Sequence, residues 1–218
     1  MGDTSGKVSG SACGYYTDVG LFGGPPTRRG CGQAIPPGDE RSASPSVALP
    51  PEGSSTAVTV EDDNGAVAQY GPAIVFGGKG DAERSGPMRV STKGKRSVTS
   101  SAAVKDFSAG PFTADSVRSA CSASQSSGAT GSTTISRGVL VTATDADGQP
   151  TKSEKLPSRP PPNYTRKGVN STGDKFRAVF NEQKVARDGT ITVTALHLYL
   201  LGPLAQGDVV VAQSRAKA

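Results

Sequence analysis

Reactive chemistry in this chain is limited by one histidine and three cysteines. Any Ser-His-Asp or Cys-His mechanism must run through His197, and no serine occupies the Gly-x-Ser-x-Gly turn of a nucleophile elbow. His197 falls among Val193, Ala195 and Tyr199 in an alternating run. The expectation is therefore a half-buried, hydrogen-bonded strand histidine rather than a base. Three Cys and one His do not complete an ordinary structural zinc site unless a carboxylate joins them. The acidic residues offer different chemistry. Asp62-Asp63-Asn64-Gly65 and Asp145-Ala146-Asp147-Gly148 each follow a Val-Thr strand ending, and clustered carboxylates with a permissive glycine can donate oxygens to calcium. Neither continues into the EF-hand loop with its closing Glu. Asx-turns need the same residues for local hydrogen bonding, so plain turns are the preferred reading. Calcium held by Asp62, Asp63, Asn64, Asp145 and Asp147 is the alternative, and no other cofactor is expected.

Binding chemistry is equally sparse. The basic residues come in short pieces, Arg28-Arg29, Lys93-Gly94-Lys95-Arg96, Arg166-Lys167, and Arg215 with Lys217. A phosphate backbone needs such charges gathered on one face. Scattered solubility is the simpler role, and nucleic acid is not an expected partner. There is no Trp, and five tyrosines are the only Tyr platforms. Tyr15, Tyr16 and Phe22, beside flexible glycines, are the best candidates for a small ligand face, with core anchoring of the first strand as the preferred reading. The Gly-rich stretches at Phe22-Gly23-Gly24 and Phe76-Gly77-Gly78-Lys79-Gly80 lack the Gly-Lys-Ser/Thr ending of a phosphate loop. Asn163-Tyr164-Thr165 and Asn170-Ser171-Thr172 are formal glycosylation sequons. Cys13 and Cys31 stand 18 positions apart across a Gly/Pro-rich stretch. They can close a disulfide loop, or all three thiols stay reduced, since spacing does not establish geometry.

These residues must be positioned by strands. The chain has 218 residues, a formal charge of +5, 28 Gly and 16 Pro, and about 18% of it is Leu, Ile, Val or Phe. That is a thin supply of core formers, but it clusters in period-two runs bounded by Gly, Pro, Asn and Asp, the strand signal. Ser97 to Phe107 puts Val98, Ser100, Ala102 and Val104 on one face, and Thr113 to Ala123 does the same for Val117, Ser119, Cys121 and Ala123. Gly131 to Ala143 would align Thr133, Ile135, Val139 and Val141, with Gly138 as a bulge. Lys175 to Gln183 alternates Phe176, Ala178 and Phe180 against Arg177, Val179 and Asn181. Asp188-Gly189 suits a tight β-turn and precedes a strand to Leu201. There Ile191, Val193, Ala195, His197 and Tyr199 should share a face, the C-terminal half being buried on both sides. Asp208 to Gln213 reads as a further central strand. The longest apolar run, Leu196 to Leu201, is too short to span a bilayer. The expected architecture is one all-β domain, an antiparallel sandwich with long Gly/Pro-rich loops; a β-solenoid-like stack is the second choice. Residues 1–7 read as a disordered or vector-derived extension without a secretory signal, 8–214 as the domain, and 215–218 as a flexible basic tail.

Several blocks together resemble the bacterial choice-of-anchor P family. They are Gly14-Tyr15-Tyr16-Thr17-Asp18-Val19-Gly20-Leu21-Phe22-Gly23-Gly24-Pro25-Pro26, then Ala68-Gln69-Tyr70-Gly71-Pro72, Phe112-Thr113-Ala114-Asp115-Ser116-Val117, Pro162-Asn163-Tyr164-Thr165, Val179-Phe180-Asn181-Glu182-Gln183, and Ala195-Leu196-His197-Leu198-Tyr199-Leu200-Leu201-Gly202-Pro203. The blocks keep their order over nearly the whole chain. The resemblance implies a secreted bacterial protein held at the cell surface, without catalytic residues to carry over. It also implies a cysteine after the last strand, where this chain has Ser214-Arg215-Ala216; Cys121 would then lack that partner and be free or paired with Cys13 or Cys31. The leading expectation is a non-enzymatic extracellular surface or envelope module, structural or adhesive, whose partner is a surface or cell-wall component and which makes no direct membrane span. A glycan- or calcium-binding module is the alternative, and a hydrolase is the last choice.

Overall fold

In the computed structural model, the described residues are 9–30, 33–34, 47–48, 59–60, 67–69, 77–81, 89–93, 97–109, 111–145, 147–169 and 173–218. They form strands and turns without a helix. In chain order the strands are β1 (Ser9–Leu21), β2 (Thr27–Gly30), β3 (Gln33–Ala34), β4 (Val47–Ala48), β5 (Thr59–Val60), β6 (Val67–Gln69), β7 (Gly77–Asp81), β8 (Arg89–Lys93), β9 (Ser97–Ala109), β10 (Phe112–Ser124), β11 (Gly128–Ser136), β12 (Val139–Thr144), β13 (Pro150–Lys155), β14 (Tyr164–Val169), β15 (Lys175–Val185), β16 (Ile191–Leu201) and β17 (Ala205–Lys217). The all-β expectation holds. All but β4 and β5 join one large sheet, nearly closed on itself, whose backbone order is β2-β1-β17-β16-β15-β14-β12-β10-β9-β7-β6. Every described ladder is antiparallel except the single parallel bridge Ala143↔Val169 between β12 and β14, so the strands do not stack as solenoid coils. No described helix is long and apolar enough to cross a membrane.

The sequence dictates two kinds of interior. At one end large rings fill the space. Phe107, Phe112 and Phe180 are fully buried, with centroids 5.9 Å apart for Phe107–Phe112 and 5.5 Å for Phe112–Phe180, the tilted and edge-on arrangements aromatic quadrupoles favour. At the other end the inward residues are small: Ala12, Val98, Ser100, Ala102, Ser119, Cys121, Ala123, Ser214 and Ala216 are buried. Such side chains let opposite walls approach closely, and the Ser100 hydroxyl donates to the Ser11 carbonyl across the interior at 2.5 Å. The inward faces expected for β9 and β10 are the observed ones, with Arg118 pointing out.

Three expectations are corrected. The run from Gly131 to Ala143 is not one bulged strand. Arg137 takes a left-handed backbone (φ 49°), and the chain breaks at Gly138 between β11 and β12. Thr133 and Ile135 are inward before the break, but after it Leu140 is fully buried while Val139 and Val141 are only half-buried. Second, the basic end is no flexible tail. Residues 215–217 belong to β17, which pairs on both sides: Ser11↔Arg215 and Ser9↔Lys217 with β1, and Thr192↔Arg215 and Ile191↔Ala216 with β16. Two ladders and a fully buried Ala216 hold it in place.

The third correction concerns which residues share a face. Along β16, Ile191 and Val193 point into the core, but so do Leu196, Leu198 and Leu200, leaving His197 and Tyr199 outside. In β17 the inward set changes from Val209 and Val211 to Ala212 and Ala216. The change falls on one row running across four strands, Gly14–Ala212–Ala195–Asn181, which is missing from the otherwise constant registers β1–β17, β16–β17 and β15–β16. Two members of the row, Asn181 (φ 52°) and Ala212 (φ 48°), are left-handed. One such residue inverts the pleat, so simple alternation holds on either side of the row but not through it. The Asn181 side chain stabilises the kink, donating to the Pro160 carbonyl at 2.9 Å and accepting from Gln183 at 3.0 Å.

Candidate functional site: a carboxylate-clamped histidine on the outer sheet face

The β15–β16 hairpin sets the geometry. Gly189 (φ 80°) donates its N–H to the Ala186 carbonyl at 3.0 Å, and the Asp188 carboxylate accepts from the Thr190 N–H at 3.1 Å. This turn fixes the register Val179↔His197 and Arg177↔Tyr199, and β17 adds His197↔Val210 and Tyr199↔Asp208. Because the pleat inverts at Asn181, Glu182 emerges on the same outer face as His197. Three strands thus bring together Arg177, Glu182, His197, Tyr199 and Asp208.

Both ring nitrogens of His197 are occupied. Nδ1 lies 2.7 Å from Glu182 Oε2 and Nε2 lies 3.0 Å from Asp208 Oδ1. An ionised carboxylate only accepts, so both contacts are hydrogen bonds only when the ring carries two N–H groups, that is, as imidazolium. Burial opposes that charge, but the bonds from Asp208 and Glu182 outweigh it and hold the His197 pKa above its ordinary value. Burial likewise works to raise the Glu182 carboxyl. Hydrogen bonds from His197, Tyr199 and Lys184 overcome it and bring Glu182 down to about 2. The Tyr199 hydroxyl donates to Glu182 Oε1 at 2.6 Å, and the Lys184 ammonium sits 3.0 Å from the same oxygen. Burial, and then the Glu182 carboxylate, push the Tyr199 phenol above its usual range, so it stays a donor. The His197 ring stacks on Tyr199 at 3.9 Å between centroids, and the Arg177 guanidinium lies 4.0 Å from the same ring, a favourable cation–π distance.

A ring with both nitrogens donating has no lone pair for a proton, a metal or a serine. The cluster links β15, β16 and β17 through side-chain contacts between Glu182, His197, Tyr199 and Asp208. His197 is thus the half-buried, bonded strand histidine that its surroundings in sequence suggest. Its outer face is not a second apolar layer but this polar group, with Leu201 exposed at the end.

The other sequence candidates fall apart from it. Tyr16 is half-buried on β1, in register with Val210 and so one strand from His197. Tyr15 pairs with Val211. Asp145 spends Oδ1 on its own loop, accepting from the Asp147 N–H at 3.0 Å and the Gln149 N–H at 2.8 Å, the Asx-turn use; Asp147 is exposed. Asp62, Asp63 and Asn64 lie outside the described residues, as do Cys31 and Asn170. Among the described residues no three His, Cys, Asp or Glu side chains gather as metal ligands. Cys13 is disulfide-bonded, whereas Cys121 is a free buried thiol that burial pushes up to about 11, against a small opposing pull from Ser214. Asn163 uses its side-chain oxygen to accept from the Gln183 N–H at 3.0 Å.

Sequence reading missed Glu182, Asp208 and Arg177 as partners of His197. One signal was there: the Asp188-Gly189 turn alone places Glu182 within a few residues of the position opposite His197. Comparison of the chain with protein families, with curated proteins and with solved structures finds no match.

Proposed function

We propose that this protein is a non-enzymatic extracellular module of a bacterial surface or envelope, acting as a rigid scaffold for structure or adhesion. The observation that carries the reading is the clamp. The chain's one imidazole has a carboxylate oxygen at each ring nitrogen, 2.7 Å from Nδ1 and 3.0 Å from Nε2, an arrangement that favours the imidazolium and supports a mechanical over a reactive role. The disulfide at Cys13 supports an oxidising compartment, since such bonds persist outside the cytosol. The resemblance to the choice-of-anchor P family supports the same placement. Long ladders on both sides of β17 favour a scaffold that resists local opening.

The test is fractionation of the native host with an antibody to this chain, under conditions that trap thiols. Recovery from the surface or medium with the Cys13 disulfide intact agrees with the proposal. Recovery from the cytosol with every thiol reduced contradicts it. In parallel, His197→Gln is compared with the natural protein in a panel of hydrolase substrates; a turnover that disappears in the variant refutes the non-enzymatic reading.

A further inference from the structure

A second polar feature lies beyond the clamp, at the end of the sheet where β1 begins, β17 ends and the β15–β16 hairpin turns. A cavity of about 360 Å³ opens there, lined by Ser9, Ser11, Asp188, Thr190, Arg215 and Lys217. Its size falls in the range of small-ligand pockets. The lining is dominated by donors: two cations and three hydroxyls against one carboxylate. That carboxylate is already spent, for Asp188 Oδ1 accepts from the Thr190 N–H and Oδ2 from the Lys217 ammonium at 2.9 Å. The Arg215 side chain is exposed and makes no hydrogen bond or ion pair among the described residues. One net positive charge remains in the cavity.

The ladder explains why these donors converge. Ser11↔Arg215↔Thr192 is one cross-strand row and Ser9↔Lys217 lies two residues further along. Alternation puts Arg215 and Lys217 on the same face, about 7 Å apart along the strand, with a serine beside each on β1. A planar guanidinium presents paired N–H groups that match carboxylate and phosphate oxygens. We propose that this cavity is a binding site for a compact oxyanion, phosphate or carboxylate, with Arg215 as the principal ligand and Lys217 and the serine hydroxyls completing the shell. Asp188 then tunes the site: it competes for Lys217 and lowers the affinity. The assignment does not depend on the scaffold proposal.

The test is titration of ¹⁵N-labelled full-length protein with inorganic phosphate, and separately with acetate, at constant ionic strength set with chloride. Saturable shifts at residues 9–11, 188–190 and 215–217 are expected. Tighter binding of phosphate assigns the natural group as a phosphate, and tighter binding of acetate as a carboxylate. Arg215→Gln should weaken binding at least about tenfold. Asp188→Asn keeps a side-chain oxygen for the turn, so it should fold, and it should strengthen binding about threefold or more by releasing Lys217. Absence of saturation with both anions, or an Asp188→Asn variant that binds no better than the natural protein, overturns the proposal.

Discussion

Replacing His197 by Phe keeps a ring to stack on Tyr199 but removes both N–H donors. The cost follows from the two carboxylates. A hydrogen bond to a charged group contributes about 1.5–3 kcal/mol. Glu182 has a side chain only 10% exposed, so losing its shortest cationic partner should cost near the upper part of that range. Asp208 is 42% exposed and rehydrates, so its loss is discounted to about 0.5 kcal/mol. Together this gives about 3 kcal/mol, or a fall in Tm of about 6–12 °C for a chain of this size. The pH dependence is more diagnostic than the size. His197 has a folded pKa above its unfolded value, near 6.5, so its contribution is fully present below about pH 6.5 and is lost as pH rises through the folded pKa. Glu182 is lowered from 4.5 to about 2, so its contribution is present above about 4.5 and disappears as pH falls towards 2. The difference between natural protein and variant should therefore peak between about pH 4.5 and 6.5. Urea unfolding followed by circular dichroism at a series of pH values measures it. A difference that stays flat from pH 4 to 10, or a variant as stable as the natural protein at pH 5.5, refutes the reasoning.

Other outcomes follow from the same structure. Ala212→Gly should leave stability within about 1 kcal/mol of the natural protein, because relief of the left-handed backbone at φ 48° is offset by loss of a fully buried methyl and by glycine's greater unfolded-state entropy, whereas Asn181→Gly should lower stability by about 1 kcal/mol or more through loss of the bonds to Pro160 and Gln183; paired thermal melts check both. Gly168→Ala should destabilise by about 1–3 kcal/mol, since the added carbon would sit 2.7 Å from the Thr142 carbonyl and collide with the Phe176 ring. Cys121, buried with its thiol pushed up to about 11, should resist a thiol reagent at pH 8 in the folded protein and react once the chain unfolds; mass spectrometry of the alkylated protein reads this directly.

Much of the fold is legible from pattern alone. The strands β9, β10, β15 and β16 announce themselves by alternation, and their inward residues follow wherever the pleat is regular; β17 shows only its middle, Asp208 to Gln213, of the full Ala205–Lys217. What sequence does not reveal is the row at which four strands invert together. Ala212, left-handed in the structure, carries no mark of it in sequence, and Asn181 is only weakly suggestive. That one row decides the site. Without the inversion Glu182 would face the core and His197 would lack its Nδ1 partner. Strand β14, between β15 and β12, was also hidden, since Tyr164–Val169 alternates half-buried with exposed residues and buries none fully. The basic end misled for the opposite reason: Arg215 and Lys217 look solvated, and they are, but the strand carrying them is held between two others by its small inward residues.

The most direct test of the account is nitrogen-15 NMR of the histidine ring, unambiguous because the chain has only one. With both nitrogens clamped by carboxylates, the ring should be doubly protonated at pH 6.5, show protected N–H signals at Nδ1 and Nε2, and lose its charge only above that pH. A neutral ring at pH 6.5, with one nitrogen unprotonated and open to a reactant, would contradict the claim that this centre is built to hold strands together.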